Sequence, residues 1–142
     1  MNYNIKKFDF LPEEALCIRE TVFIHEQGFV DEVDDIDSTA THLVLYDEKD
    51  KPIATCRVFK SAENNSFILG RFCVLKEFRG RGIGKLLLCE AEKTVIDLGG
   101  KSLSLHSQYH ARDFYKKLGY LELGEPDYEQ GCKHIWIKKD LT

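Results

Sequence analysis

The chain has no apolar run near the roughly 18–20 residues that cross a bilayer, and its opening, Met1 to Lys6, lacks a signal-peptide core. No membrane partner is expected. A basic excess is missing too: 20 Lys plus Arg face 24 Asp plus Glu, a formal charge of −4. Nucleic-acid binders favour a basic face, so nucleic acid is not an expected partner. Close cysteine pairs are absent. Cys17, Cys56, Cys73, Cys89 and Cys132 are never nearer than 16 residues, which leaves no Cys-x-x-Cys for zinc or dithiol chemistry. An odd number of cysteines, with apolar neighbours around Cys56 and Cys73, reads as buried, reduced thiols and a cytoplasmic location.

Familiar site patterns also fail. His25, His42, His106 and His134, four of the five histidines, are scattered along the chain, and no metal is expected. A calcium loop started at Asp35 would put Ala40 at the required Gly and Tyr46 at the closing Glu. Ser102 and Ser104 follow Gly100 without forming Gly-x-Ser-x-Gly. What remains is a 43% hydrophobic, 31% charged chain of 142 residues with three Pro and no repeat or linker. That reads as one domain over residues 1–142.

Hydrophobic spacing orders the elements. Tyr3–Phe10 alternates as an opening strand, and Pro12, Glu13 and Glu14 make a favourable first helical turn. The apolar pattern carries that helix to about His25. His42–Tyr46, Ile53–Phe59 and Phe67–Leu75 follow as strands joined by short turns, which favours antiparallel pairing. Gly82–Leu98 is an amphipathic helix stopped by Gly99 and Gly100. Lys101–His106 is a strand and Ala111–Leu118 a short helix; Tyr120–Leu123 and Lys133–Lys138 close the chain as strands. This β-α-β-β-β-α-β-α-β-β order implies an α/β (α+β mixed) domain, with a mostly antiparallel mixed sheet and helices on both faces.

The most informative segment runs from Phe72 to Lys85, out of a strand, through a loop and into a helix. Arg79-Gly80-Arg81-Gly82-Ile83-Gly84-Lys85 interleaves three basic residues with three glycines at a helix start. Free N–H groups and the helix dipole attract phosphate there. A nucleotide P-loop does not fit, because Arg79 falls on its first Gly and Leu86 on its Ser/Thr. A dinucleotide fingerprint fails because the third glycine comes one residue early.

Arg79-Gly80-Arg81-Gly82-Ile83-Gly84 does resemble Arg/Gln-x-x-Gly-x-Gly/Ala, the coenzyme A pyrophosphate loop of the GNAT N-acetyltransferase superfamily. About 30 residues on, Gln108-Tyr109-His110-Ala111 leads into Phe114-Tyr115 and Gly119-Tyr120, similar to that family's Asn-x-x-Ala-x-x-Phe-Tyr-x-x-x-Gly-Phe segment. Gln108 stands in place of the usual Asn. The resemblance implies acetyl transfer from acetyl-CoA to a primary amine, small-molecule or peptide, by direct attack. Alternatives are a non-catalytic coenzyme A-binding module, or another acyl donor on the same fold. It further implies that main-chain groups of Phe72, Cys73 and Val74 hold the pantetheine arm. Amides from Arg79 to Lys85 would hold the pyrophosphate, Gln108 would contact the cofactor, and Tyr115 would protonate the leaving thiolate.

The acceptor side is less legible. Glu26, with Gln27 at the first helix end, is a candidate to bind or deprotonate the amine; a solvated carboxylate is the competing reading. Asp31, Glu32, Asp34, Asp35 and Asp37 would form a negative rim for a cationic amine, or a loop that merely aids solubility. His106 ends its strand where a cofactor could lie, and His134 is a candidate for the acceptor pocket; ordinary packing competes for both.

Overall fold

The computed structural model describes residues 2–30, 33–63 and 65–142. Asp31 and Glu32, two members of the acidic stretch, lie outside the described residues. Seven strands form one sheet in the order β1-β2-β3-β4-β5-β7-β6. They are β1 (Asn4–Phe8), β2 (Thr41–Tyr46), β3 (Pro52–Lys60), β4 (Ser66–Val74), β5 (Ser102–Gln108), β6 (Leu121–Glu129) and β7 (Cys132–Asp140). Only β4 and β5 pair in parallel, because α2 (Ile83–Asp97) crosses between them.

Both faces are covered. Alternation along β2 sends Val44 and Tyr46 to one side, where Ala15 and Ile18 of α1 (Glu13–Arg19) pack on them. Leu43 and Leu45 go to the other side and meet Ile83, Leu87, Leu88, Ala91 and Val95 of α2. Those five α2 residues are all but inaccessible to water. Each large one contributes about 1.5–3 kcal/mol by burial, which is why α2 and the central strands form the rigid part of the fold.

Two local irregularities shape the molecule more than the regular elements do. First, α1 does not continue to His25 as a regular α-helix: Glu20–Glu26 is π-helical. The wider turn keeps Val22 buried while setting Phe23 and Gln27 against a cavity. Second, Thr55 pairs with Cys73 and Arg57 with Gly70, so two β4 residues face one on β3. Arg71 sits in this bulge at φ +50°, a conformation uncommon for a residue with a side chain.

The last hairpin is longer than the sequence pattern suggests. Gly124 and Pro126 read as breakers, yet pairing resumes at Asp127 after a register shift. The turn is Gln130-Gly131, both at positive φ, the backbone that a two-residue hairpin requires. α3 (Arg112–Lys116) is short and buries Tyr115. No helix among the described residues is long and apolar enough to cross a membrane.

Candidate active site

β4 and β5 pair only from Ser66–Leu69 against Ser102–Leu105. Beyond that point β4 stays with β3, while His106–Gln108 stays with β7, and the sheet opens as a wedge. A cavity of about 760 Å³ fills the wedge, walled by the π-helical segment, the start of α2, α3 and the last hairpin. Unpaired strand edges inside the wedge offer main-chain donors and acceptors to an extended ligand.

At one end lies the glycine loop. Gly80 and Gly82 are both at φ +78°, and a Cβ on either would meet no atom within 4 Å. The loop therefore needs glycine for its backbone while leaving room above it for a ligand. The N-terminus of the 15-residue α2 points its free amides into that room. Gly80, Gly82, Ile83, Gly84 and Lys85 line the cavity, with the Ile83 side chain turned into the core. Arg81 does not line it; its guanidinium lies over the Phe78 ring, 5.3 Å from the centroid.

Arg79 and Glu26 meet each other. The Arg79 guanidinium donates to both Glu26 oxygens, at 2.6 and 2.8 Å, and its Nε donates to the Val74 carbonyl at 2.9 Å. The bond from Arg79 holds the Glu26 carboxyl below its ordinary pKa and raises that of Arg79. A carboxylate so stabilised is a weak proton acceptor. The pair ties the end of the π-helical segment to the end of β4. Gln108 is similarly engaged: its amide donates to Gln27 at 2.9 Å, and its oxygen lies 2.8 Å from His110 Nε2.

Tyr115 closes the deep side of the wedge. Its ring packs edge-on against Phe72, Phe114 and Tyr120. Burial pushes its phenol pKa up, and the neighbouring Cys56 and Cys73 thiols push the same way. The hydroxyl therefore keeps its proton through any working pH, as a proton donor must. Cys73 is buried in the packing beneath α1, and burial drives the Cys56 thiol well above its usual range.

On the α1 side of the cavity, Asp34 and Asp37 of the acidic stretch are spent on arginines. Asp37, 2% exposed, receives bonds from Arg19 at 2.9 and 3.1 Å and from Arg57 at 2.8 Å. Asp34 receives two from Arg57 and lies 3.6 Å from Arg71. Burial alone would raise the Asp37 carboxyl pKa; the Arg19 and Arg57 hydrogen bonds outweigh it and hold it far below the carboxylate range. Asp34 and Asp37 thus pin a 3-10 turn to the sheet and present no negative rim to a ligand.

A second charged group faces the cavity from β5 and the last hairpin, where sequence spacing showed no cluster. His106, Glu129 and His134 bring ligand atoms within 4.8 Å of one another. His106 stacks between His134 and Trp136, at ring separations of 4.7 and 4.9 Å. A signal for this was present: Asp127, Glu129, His134 and Trp136 alternate about one tight turn, which sets all four on one face.

With this geometry in view, the comparisons with known proteins are specific. Residues 12–141 match the acetyltransferase (GNAT) domain family, and the chain belongs to it. It is 34% identical over 131 residues to the uncharacterized N-acetyltransferase YjcF of Bacillus subtilis, covering 90% of this chain and 91% of that one. A Lactobacillus plantarum structure described as a candidate N-acetyltransferase superposes with a TM-score of 0.91 at 29% identity, over the full length of both chains. Escherichia coli ElaA superposes with a TM-score of 0.85 at 24% identity, covering 97% and 99%. The fold is that of acyl-CoA N-acyltransferases, and the family supports acyl transfer from an acyl-CoA.

Proposed function

We propose that this protein transfers the acetyl group of acetyl-CoA to a primary amine by direct attack on the thioester. The observation that carries the reading is one continuous cavity that joins an anion-accepting helix start, a strand wedge and a buried tyrosine. In this reading, amides from Arg79 to Lys85 hold the pyrophosphate and Lys85 adds charge. Arg81 acts through its backbone, since its side chain lies elsewhere. Main-chain groups of Phe72, Cys73 and Val74 orient the pantetheine arm in the wedge; the Val74 carbonyl is already shared with Arg79. Gln108 braces the wedge through Gln27 and contacts the cofactor from there. Tyr115 gives its proton to the departing sulfur. Glu26, committed to Arg79, is a positioning residue that fixes the loop against the cavity.

Calorimetric titration with acetyl-CoA tests the loop. Gly82→Val and Gly99→Val carry matched backbone strain, because both glycines are left-handed and open around Cβ. Each should lose about 1–2 kcal/mol of stability. Only Gly82→Val should weaken acetyl-CoA binding, by tenfold or more. Equal affinity in both variants would contradict the assignment of the loop.

A further inference from the structure

The His106–Glu129–His134 group is more than a packed cluster, because its hydrogen bonds fix where the free lone pairs point. His106 Nε2 lies 2.6 Å from an Asp127 carboxylate oxygen. A carboxylate can only accept, so Nε2 carries the proton and the neutral ring has its lone pair on Nδ1. His134 Nδ1 lies 2.8 Å from the Cys132 carbonyl, which also can only accept, so the lone pair of that ring is on Nε2. Both lone-pair nitrogens face Glu129: His106 Nδ1 is 3.8 Å from one carboxylate oxygen and His134 Nε2 is 3.8 Å from the other. Those separations are too long for hydrogen bonds. The His134 side chain is only 5% exposed, yet its Nε2 has no hydrogen-bond partner among the described residues. Three acceptors therefore converge with no donor between them.

We infer that this triad binds the ammonium group of the acceptor amine, with His106 Nδ1 taking its proton. The inference rests on the transferase reading above and names the acceptor-binding residues within it. Two arguments carry it. A primary ammonium offers three N–H donors, one for each acceptor. The Asp127 and Glu129 carboxylates flank the two rings with no Lys or Arg among them, so the group suits a cation. Spacing leaves zinc as the competitor. Tetrahedral zinc, at about 2.0–2.1 Å from its ligands, needs them roughly 3.3 Å apart. Hydrogen bonds of about 2.9 Å around a tetrahedral nitrogen place their acceptors roughly 4.7 Å apart. The gaps of 3.8 Å lie between the two.

The position also suits the reaction. His106 follows Leu105, the last β5 residue paired with β4, so its ring stands at the apex of the wedge. One N–H bond of the ammonium breaks as the Nδ1–H bond of His106 forms; the nitrogen keeps the electron pair with which it attacks. The Asp127 carboxylate on Nε2 stabilises the resulting imidazolium. His134 Nε2 and the Glu129 carboxylate hold the amine while His106 takes the proton. Trp136, Phe23, Phe29 and Phe59 line the adjoining cavity, so the amine carries an apolar or aromatic group.

Long-range proton–nitrogen NMR of the histidine rings tests this without acetyl-CoA. The free protein should show His106 protonated on Nε2 and His134 on Nδ1. 2-Phenylethylammonium should shift the signals of both free nitrogens saturably, and 2-phenylethanol should not. Glu129→Gln and His106→Asn should weaken amine binding at least tenfold; Glu129 lies exposed on the hairpin, so that variant keeps the fold. Equal affinity in both variants, or an equal response to the alcohol, would overturn the inference. So would zinc chloride that binds the triad and is not displaced by the amine. Amine capture by the triad with no acetyl transfer on adding acetyl-CoA would leave this inference standing and remove the proposed activity. Acetyl transfer whose KM for the amine ignores Glu129→Gln would do the reverse.

Discussion

Arg57 of the Arg19–Asp37–Arg57 cluster and all three residues of the His106–Glu129–His134 cluster line the same cavity, but only the first cluster pairs its carboxylate. Asp37 receives three arginine hydrogen bonds, and Asp34 takes up further Arg57 donors. The histidine cluster leaves two lone pairs and a carboxylate facing one another. Both contain acids and nitrogen bases at short range. The difference lies in donors: arginine brings many and accepts nothing, so it closes a cluster, whereas neutral histidine retains an acceptor and leaves one open. The closed cluster is a structural joint and the open one is the site proposed for the amine.

Breaking the closed cluster should have the largest effect. Asp37→Asn leaves Arg19 and Arg57 buried without their carboxylate and should cost about 3–5 kcal/mol. Thermal melting should fall by roughly 10 °C or more. The same residue sets an acid limb. Its folded pKa is depressed, so its contribution is fully present above the unfolded value of about 3.9 and is lost as pH falls through the folded one. Wild type should therefore lose stability on acidification below about pH 4 more steeply than Asp37→Asn.

Tyr115→Phe comes next and should leave the structure nearly unchanged. If Tyr115 donates to the thiolate, kcat should fall roughly 10–10³-fold with little change in acetyl-CoA affinity. Because burial raises its pKa, no limb from Tyr115 should appear in the pH–rate profile below about pH 10. Unchanged turnover would return Tyr115 to a packing role.

Glu26→Gln should have the smallest effect. The Glu26–Arg79 pair is partly exposed, at 30% and 39%, and such pairs contribute about 0–1 kcal/mol. A few-fold loss of acetyl-CoA affinity, lessened by added salt, is expected, with the amine KM unchanged. A large rise in amine KM would place Glu26 in the acceptor site instead.

How much of this was legible in the sequence follows from range. The element order and the glycine loop depend on local spacing, and α2 begins at Ile83 with the loop immediately before it, as the pattern implies. Tyr115 stood out because it sits in a contiguous motif, and it lines the cavity. The histidine cluster did not stand out. His106 and His134 were each noticed alone, but they meet only because β5 pairs with β7 and sets Gln108 opposite His134. Glu129 joins them through a hairpin strand that runs to Glu129, past the Leu123 end expected from spacing. Asp37 misled for the same reason: its arginine partners lie 18 and 20 residues away, and local composition does not show a partner. The π-helical turn and the β4 bulge leave no periodic trace at all.

The most direct test mixes the purified protein with acetyl-CoA and 2-phenylethylamine and follows free thiol release and product mass together. Stoichiometric thiol release with one acetyl group added to the amine is the predicted result, with 2-phenylethanol left unmodified. Acetyl-CoA that binds through the glycine loop but transfers nothing to this or any other primary amine would contradict it.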